Sequence, residues 1–227
     1  MNDLQKLLKF DSETQALAQI SGRLGWDQET MMASGSAEQR GAEIAAIEGI
    51  LHARRCDDQV GEWLSNINAE SLDEIAKAQL REIKRSFERA IKVPGDLAQL
   101  IARTTSVSQG KWAAARADNN FSAFVPVLEE VLNLKREEGQ ALATNADLYD
   151  TMLLDYEPGT TANKLSKMFG ALRPGLVALR GAILEKEPVG KLQGTFDEVT
   201  QIKISLLLAK TFGYDLNRGR IDKAVHP

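Results

Sequence analysis

The chain has few side chains suited to metal or nucleophilic chemistry: two histidines, His52 and His226, and one cysteine, Cys56, in 227 residues. His52 and Cys56 stand four apart, so a helix would bring both to one face, where they could meet a metal. Asp57 and Asp58 follow directly. Arg54 and Arg55 lie between His52 and Cys56, and the better reading is a helix C-terminus, where His and Arg complement the dipole. Structural zinc normally takes four ligands, and only His52 and Cys56 share the helical face. The sequence has no H-E-x-x-H, no Glu-x-x-His, no G-x-G-x-x-G, no Walker loop and no G-x-S-x-G. One cysteine and two distant histidines make no nucleophile–base pair. No catalytic residue and no metal ligand is therefore assigned within the chain.

Four other groupings are unusual. Leu24-Gly25-Trp26-Asp27-Gln28-Glu29-Thr30-Met31-Met32 sets a large aromatic, two carboxylates and two methionines just after a helix. Read from chemistry alone, it is a helix-terminal loop anchored by Trp26, with Asp27 capping the next turn. Trp112 and Arg116 are one turn apart and suited to stacking, or Arg116 to a carboxylate partner. Tyr149, Asp150, Asp155, Tyr156 and Glu157 form an acidic-aromatic cluster of the kind usual in solvated loops. Arg218, Arg220 and Asp222 near the end suit either anion binding or an ion pair.

The elements that must position these groups are helical. Leu4, Leu7, Leu8, Leu17 and Ile20 recur at three- and four-residue spacing. Gly22 and Gly25 are expected to end that helix, leaving Trp26 to Gly35 as a loop. Ser36 with Gln39, and Ser71 with Glu74, read as capping boxes that open two further helices. The first should run from about Ala37 to Arg54. The second should stop before Val93-Pro94, because a residue preceding proline leaves helical space. Further helices are expected over Asp96 to about Ala117 and Phe121 to Ala143, with a break at Asn119-Asn120. Asp147 to Asp155 is a short segment, and Glu157-Pro158-Gly159 is a turn. A long helix follows from Thr161 to Pro188, kinked or split at Pro174. Lys191 to Phe196 should be irregular or a short strand. A last helix, capped by Asp197, should run to Phe212 with Gly213 beyond it. The expectation is seven to nine helices in one all-α domain over 1–227, packed as a multi-helix array of antiparallel hairpins.

Composition bounds the function classes. The chain is 43% apolar and 26% charged, which is enough to build a core. Its net charge of −4 argues against nucleic-acid binding through a basic face. A single cysteine excludes an internal disulfide scaffold. The longest apolar run, Ile204 to Ala209, is far short of the ~20 residues a membrane span needs. No signal peptide is seen at the N-terminus, since charges interrupt every apolar run there. A soluble, cytoplasmic protein with no membrane partner is expected.

The wording of the motifs is more specific than the composition. Leu24-Gly25-Trp26-Asp27-Gln28-Glu29-Thr30-Met31 resembles the N-terminal signature of the carboxypeptidase Taq family of metallocarboxypeptidases. Val93-Pro94 resembles its valine-proline turn. Trp112-Ala113-Ala114-Ala115-Arg116 and Phe121-Ser122-Ala123-Phe124-Val125-Pro126 resemble its W-x-x-A-R and F-x-x-F-x-P block. Tyr149-Asp150-Thr151-Met152-Leu153-Leu154-Asp155-Tyr156-Glu157-Pro158-Gly159 resembles its Y-D-x-L-L-D-x-Y-E-P-G segment. Phe212-Gly213-Tyr214-Asp215, then Gly219-Arg220-Ile221-Asp222 and His226-Pro227, resemble the approach to its H-P-F motif.

The resemblance implies the N-terminal half of a cytoplasmic, zincin-like exopeptidase that removes residues from peptide C-termini. Such enzymes are typically homodimers. A divalent metal, zinc or cobalt, is held there by the two histidines of H-E-x-x-H and a later glutamate. The motif's own glutamate activates water, and the metal polarises the scissile carbonyl. H-E-x-x-H, D-x-R-x-T and the later glutamate are absent from these 227 residues, which stop at His226-Pro227, where the family continues with Phe. Met32 stands where the family often has proline, and Ala224 where it often has serine. The expectation is a chain that lines the substrate groove but holds no metal and is inactive alone. Trp26 and Asp27 would support the groove, and Arg220 and His226 would lie nearest the substrate. A complete, non-catalytic helical module that binds a peptide or protein is the alternative. It would have a sealed polar surface, whereas the half-enzyme would expose an apolar patch.

Overall fold

Apolar residues at three- and four-residue spacing fold into nine α-helices and no strand among the described residues, which are 1–143, 147–191 and 193–224 of a computed structural model. Helix α1 spans Asp3–Thr30 and opens with a capping box in which Asn2 and Gln5 exchange side-chain and backbone hydrogen bonds. It does not end at Gly22 or Gly25, as expected from sequence, but continues through the Trp26–Thr30 stretch. Two glycines cost a helix about 2 kcal/mol together. The anchors made by Asp27 and Gln28 beyond them, described below, offset that cost.

After a 3₁₀ turn at Ser34–Ser36, helix α2 spans Ala37–Arg55. Ser36 precedes it but makes no side-chain cap, so that capping box is not formed. Helix α3, Asp58–Asn66, was not legible as a separate element; Asp57 caps it through the Gln59 amide. Helix α4, Glu74–Ala90, is capped by Asp73 and not by Ser71, whose hydroxyl instead donates to the Asn68 carbonyl within a 3₁₀ turn. A carboxylate one residue from the first turn displaces a serine three residues away.

Helices α5 (Gly95–Ala117) and α6 (Phe121–Leu142) match the expected spans. Asn119 takes the left-handed conformation, φ 50°, that reverses the chain between them. Helix α7 covers Leu148–Leu153. Helix α8, Ala162–Leu184, is capped by Thr161 and runs unbroken through Pro174, ending before Pro188. Its surface is exposed, so the carbonyl that proline leaves without a donor is open to water. Helix α9, Glu198–Thr211, has the expected Asp197 cap, and Gly213 follows it at φ 89°. The described part of Lys191–Phe196 is irregular.

Two compact units result, Met1–Gly159 and Thr160–Pro227, divided at the Glu157-Pro158-Gly159 turn, where no linker-like composition marks a boundary. The first unit holds the core. Leu7, Val60 and Leu80 join α1, α3 and α4, with Phe10 and Trp63 packed edge-to-face at 5.7 Å. Val93, Leu97, Leu134 and Leu142 join α5 and α6, with Met152 of α7 against them. Helices α2 and α5 approach closely at Gly41, where a Cβ would stand 2.7 Å from Val107 Cγ2. In the second unit neither α8 nor α9 has a buried residue.

Candidate functional site

Because α1 extends to Thr30, Trp26, Asp27 and Gln28 lie on its last turns and not in a loop. Arg40 reaches them from the first turns of α2. Its Nη2 donates to Asp27 Oδ2 at 2.5 Å, its Nε to Glu43 Oε2 at 3.0 Å, and its Nη1 to the Leu24 carbonyl. The Arg40 side chain is 11% exposed, and the hydrogen bond it donates to Asp27 raises its pKa further. Gln28 turns the other way, toward α5. Its Nε2 donates to the Ser106 carbonyl at 2.8 Å, and the Ser106 hydroxyl donates back to Gln28 Oε1 at 2.6 Å. The acidic, amide-bearing end of α1 is thus bolted to α2 and α5. Asp27 does not cap the next turn; its carboxylate accepts one N–H of a guanidinium that also serves Glu43 and the Leu24 carbonyl. Trp26 is 39% exposed, and its carbonyl accepts from the Thr30 hydroxyl. Asp27, Met31, Met32, Gln39, Arg40 and Glu43 line a shallow depression beside this joint.

A larger cleft, of about 510 Å³, opens elsewhere in the first unit between α1, α4 and α7. Gln15, Arg85, Arg89, Lys92, Thr151 and Asp155 line it. Arg89 Nη2 bridges Glu138 Oε1 at 2.9 Å and Asp155 Oδ2 at 2.6 Å, and Lys135 Nζ also holds Glu138, at 2.8 Å. The acidic-aromatic segment is therefore clamped at Asp155 and is not simply a solvated loop. Burial pushes the Asp155 carboxyl above its ordinary range, against the pull of Arg89 and with Glu138 adding to the rise. A carboxyl with a raised folded-state pKa favours the fold when protonated, and that contribution is lost as pH rises from about 4 through the raised value. Asp155→Asn should therefore leave stability within about 1 kcal/mol at pH 7 and flatten its change between acid and neutral pH. Denaturant titrations at several pH values check this; a large loss at pH 7 would mean the ion pair outweighs the burial.

His52 and Cys56 do end a helix. The His52 ring donates through Nε2 to the Val93 carbonyl, at 2.7 Å, and Gly95 lies against the ring. Cys56 Sγ is 3.7 Å from the ring nitrogens, and burial raises its thiol pKa. The pair ties α2 to the Val93-Pro94 turn. Arg116 stands over the Trp112 ring, its Cζ 5.4 Å from the centroid. Among the described residues no group of three or more His, Cys, Asp or Glu side chains could hold a metal ion. The residues described do not fit a metal centre.

The sequence-derived site residues fall in different places. Trp26 and Asp27 are neighbours in the first unit. Arg220 is in the second, where it forms a two-pronged pair with Asp222 at 2.7 Å for each contact. His226 lies outside the described residues. Sequence reading missed Arg40, Ser106 and Arg89. Their partners are 13, 78 and 49 or more residues away, beyond any local spacing rule.

An all-helical array whose signature residues serve as inter-helix ties is the architecture of one half of a metallocarboxypeptidase. It superposes on Trypanosoma cruzi metallocarboxypeptidase 1 with a TM-score of 0.78 at 26% identity, over 99% of this chain and 47% of that one. It superposes on the M32 carboxypeptidase of Deinococcus radiodurans R1 with a TM-score of 0.76 at 28% identity, over 99% and 46%. In sequence it is 33% identical to thermostable carboxypeptidase 1 of Thermus thermophilus, over 98% of this chain and 47% of that protein. The model of the family described as carboxypeptidase Taq (M32) metallopeptidase matches residues 6–227. The chain belongs to that family. It spans about half the length of the curated relatives it matches. No helix among the described residues is long and apolar enough to cross a membrane.

Proposed function

We propose that residues 1–227 are the N-terminal helical half of a metal-dependent carboxypeptidase that releases residues from peptide C-termini, and that they do not catalyse this reaction alone. One observation carries the reading: the family match runs over residues 6–227, yet the chain accounts for only 47% of its Thermus relative. The family's H-E-x-x-H is not among these residues. The divalent ion, zinc or cobalt, belongs to the intact enzyme, which acts as a cytoplasmic homodimer. The role of this half is to position helices along the groove. Trp26 and Asp27 support its wall, and Arg220 and His226 stand nearest the peptide, a placement that rests on the resemblance of their motifs.

The test is direct. The purified 227-residue chain, supplied with zinc or cobalt, is expected to release no amino acid from a blocked dipeptide or a longer peptide. Metal-dependent release, with contaminating peptidases excluded, would refute the inactivity. Hydrolysis near neutral pH needs an activated water, and the described side chains offer no cluster to hold the ion that would activate it.

A further inference from the structure

The cleft between α1, α4 and α7 is walled wholly by the first unit, and its volume falls within the ~300–1,000 Å³ of small-molecule sites. A second cavity, of about 300 Å³, shares Gln15, Ser86 and Arg89 with it and extends it to Glu48, His52 and Arg55 of α2. Three cations line the cleft, Arg85, Arg89 and Lys92, at spacings of four and three along one stripe of α4. Three carboxylates, Glu82, Glu88 and Asp155, match them in number. The two glutamates are met along α4 itself. Glu82 pairs with Arg81 at 3.2 Å and with Arg85 at 2.7 Å, and Glu88 pairs with Lys84 at 3.7 Å. Arg89 and Asp155 keep spare capacity. Arg89 spends one atom, Nη2, on both Glu138 and Asp155, and Asp155 accepts it through Oδ2 alone. Among the described residues nothing accepts from Arg89 Nε or Nη1, nothing donates to Asp155 Oδ1, and Lys92 Nζ meets no carboxylate. Both members of the Arg89–Asp155 pair are 30% exposed, so a ligand would meet them partly shielded from water.

We infer that this cleft is a binding site for a free α-amino acid, whose carboxylate accepts from the spare Arg89 N–H groups and Lys92 Nζ and whose ammonium donates to Asp155 Oδ1. The charge balance decides against a simple anion or cation, because three cations against three carboxylates give no net field to draw either. The 2.6 Å contact between Arg89 and Asp155 decides the spacing. One small molecule reaches the spare atoms of both only if its own charges sit close together, as ammonium and carboxylate do on a single α-carbon. Leu142 and Leu154 offer its side chain an apolar wall. The inference goes beyond the proposed function and does not depend on it, although an amino acid is also what that reaction would release.

Isothermal titration calorimetry of the 227-residue chain at pH 7, with leucine as the probe, tests this. The expected result is one saturable site per chain, with an affinity about tenfold or more above that for each of three mimics. These are 4-methylpentanoate, which lacks the ammonium, 3-methylbutylamine, which lacks the carboxylate, and 6-aminohexanoate, the isomer of leucine with its charges at opposite ends. Asp155→Asn and Lys92→Gln should each weaken leucine binding by about tenfold, and Lys92→Arg should retain most of it. Lys111→Gln, on an exposed position of α5, should change nothing. Circular dichroism confirms that each variant stays helical. In amide spectra of the labelled chain, leucine should shift residues 85–92 and 151–159. No saturable binding of leucine would overturn the inference. So would equal affinity for leucine and 6-aminohexanoate, which marks unspecific charge attraction, an unchanged affinity in Asp155→Asn and Lys92→Gln, or shifts confined to other segments. Calorimetry reads binding without turnover, so failure here leaves the proposed function standing.

Discussion

Arg40→Ala is expected to destabilise the first unit by about 3 kcal/mol, a drop in melting temperature of roughly 6–12 °C for a unit of this size. The reason is the geometry at the end of α1. One guanidinium, with its side chain only 11% exposed, serves Asp27, Glu43 and the Leu24 carbonyl together. Removing it leaves the Asp27 carboxylate, 37% exposed, partly desolvated and without a cation. Arg40→Lys should recover less than half of the loss, because an ammonium cannot reproduce a planar fork. A double-mutant cycle with Asp27→Asn isolates the pair. A loss below about 1 kcal/mol for Arg40→Ala would place this contact with ordinary surface ion pairs and remove its role in fixing the Trp26–Gln28 turn.

Leu7→Ala should cost still more, about 4 kcal/mol. Leu7 is fully buried, and Val60 and Leu80 with Phe10 and Trp63 close around it. The aromatic pair and the facing helices α3 and α4 hold their positions, so the vacated space collapses little. Arg54 restricts relaxation further: its Cζ lies 3.9 Å from the Phe10 ring centroid and its Nε donates to the buried Thr14 hydroxyl. The instructive comparison is Leu172→Ala on α8, where the side chain is 51% exposed. That change should cost less than about 1 kcal/mol in the free chain, in line with other exposed positions. Chemical denaturation of the three proteins measures both effects. Equal losses at Leu7 and Leu172 would mean that α8 is buried in solution.

The two halves of this contrast bear on function. A unit whose core is sealed and a unit whose apolar residues face outward carry different stability. The first is expected to unfold as a cooperative block. The second holds its helices by caps, such as Thr161 on α8 and Asp197 on α9, where the Thr200 hydrogen bonds keep the Asp197 carboxyl below its usual range.

Much of the fold was legible in the residues themselves. The three- and four-residue spacing of leucines, the Asp197 cap, the Asn119-Asn120 break and the Val93-Pro94 stop are local rules, acting over one or two turns, and α4, α5, α6 and α9 follow them. The five signature blocks carried the family, because they are ordered words rather than composition. Only the tertiary structure decided where α1 ends. Gly22 and Gly25 are local signals to stop, and they lose to Asp27 and Gln28, whose partners are Arg40 on α2 and Ser106 on α5. The clamp of Arg89 on Asp155 was hidden for the same reason, with its two members 66 residues apart. Periodicity reports what a helix can bury within its own few turns. Which distant charge meets it, and whether any partner covers it, depends on contacts that exist once the chain has folded.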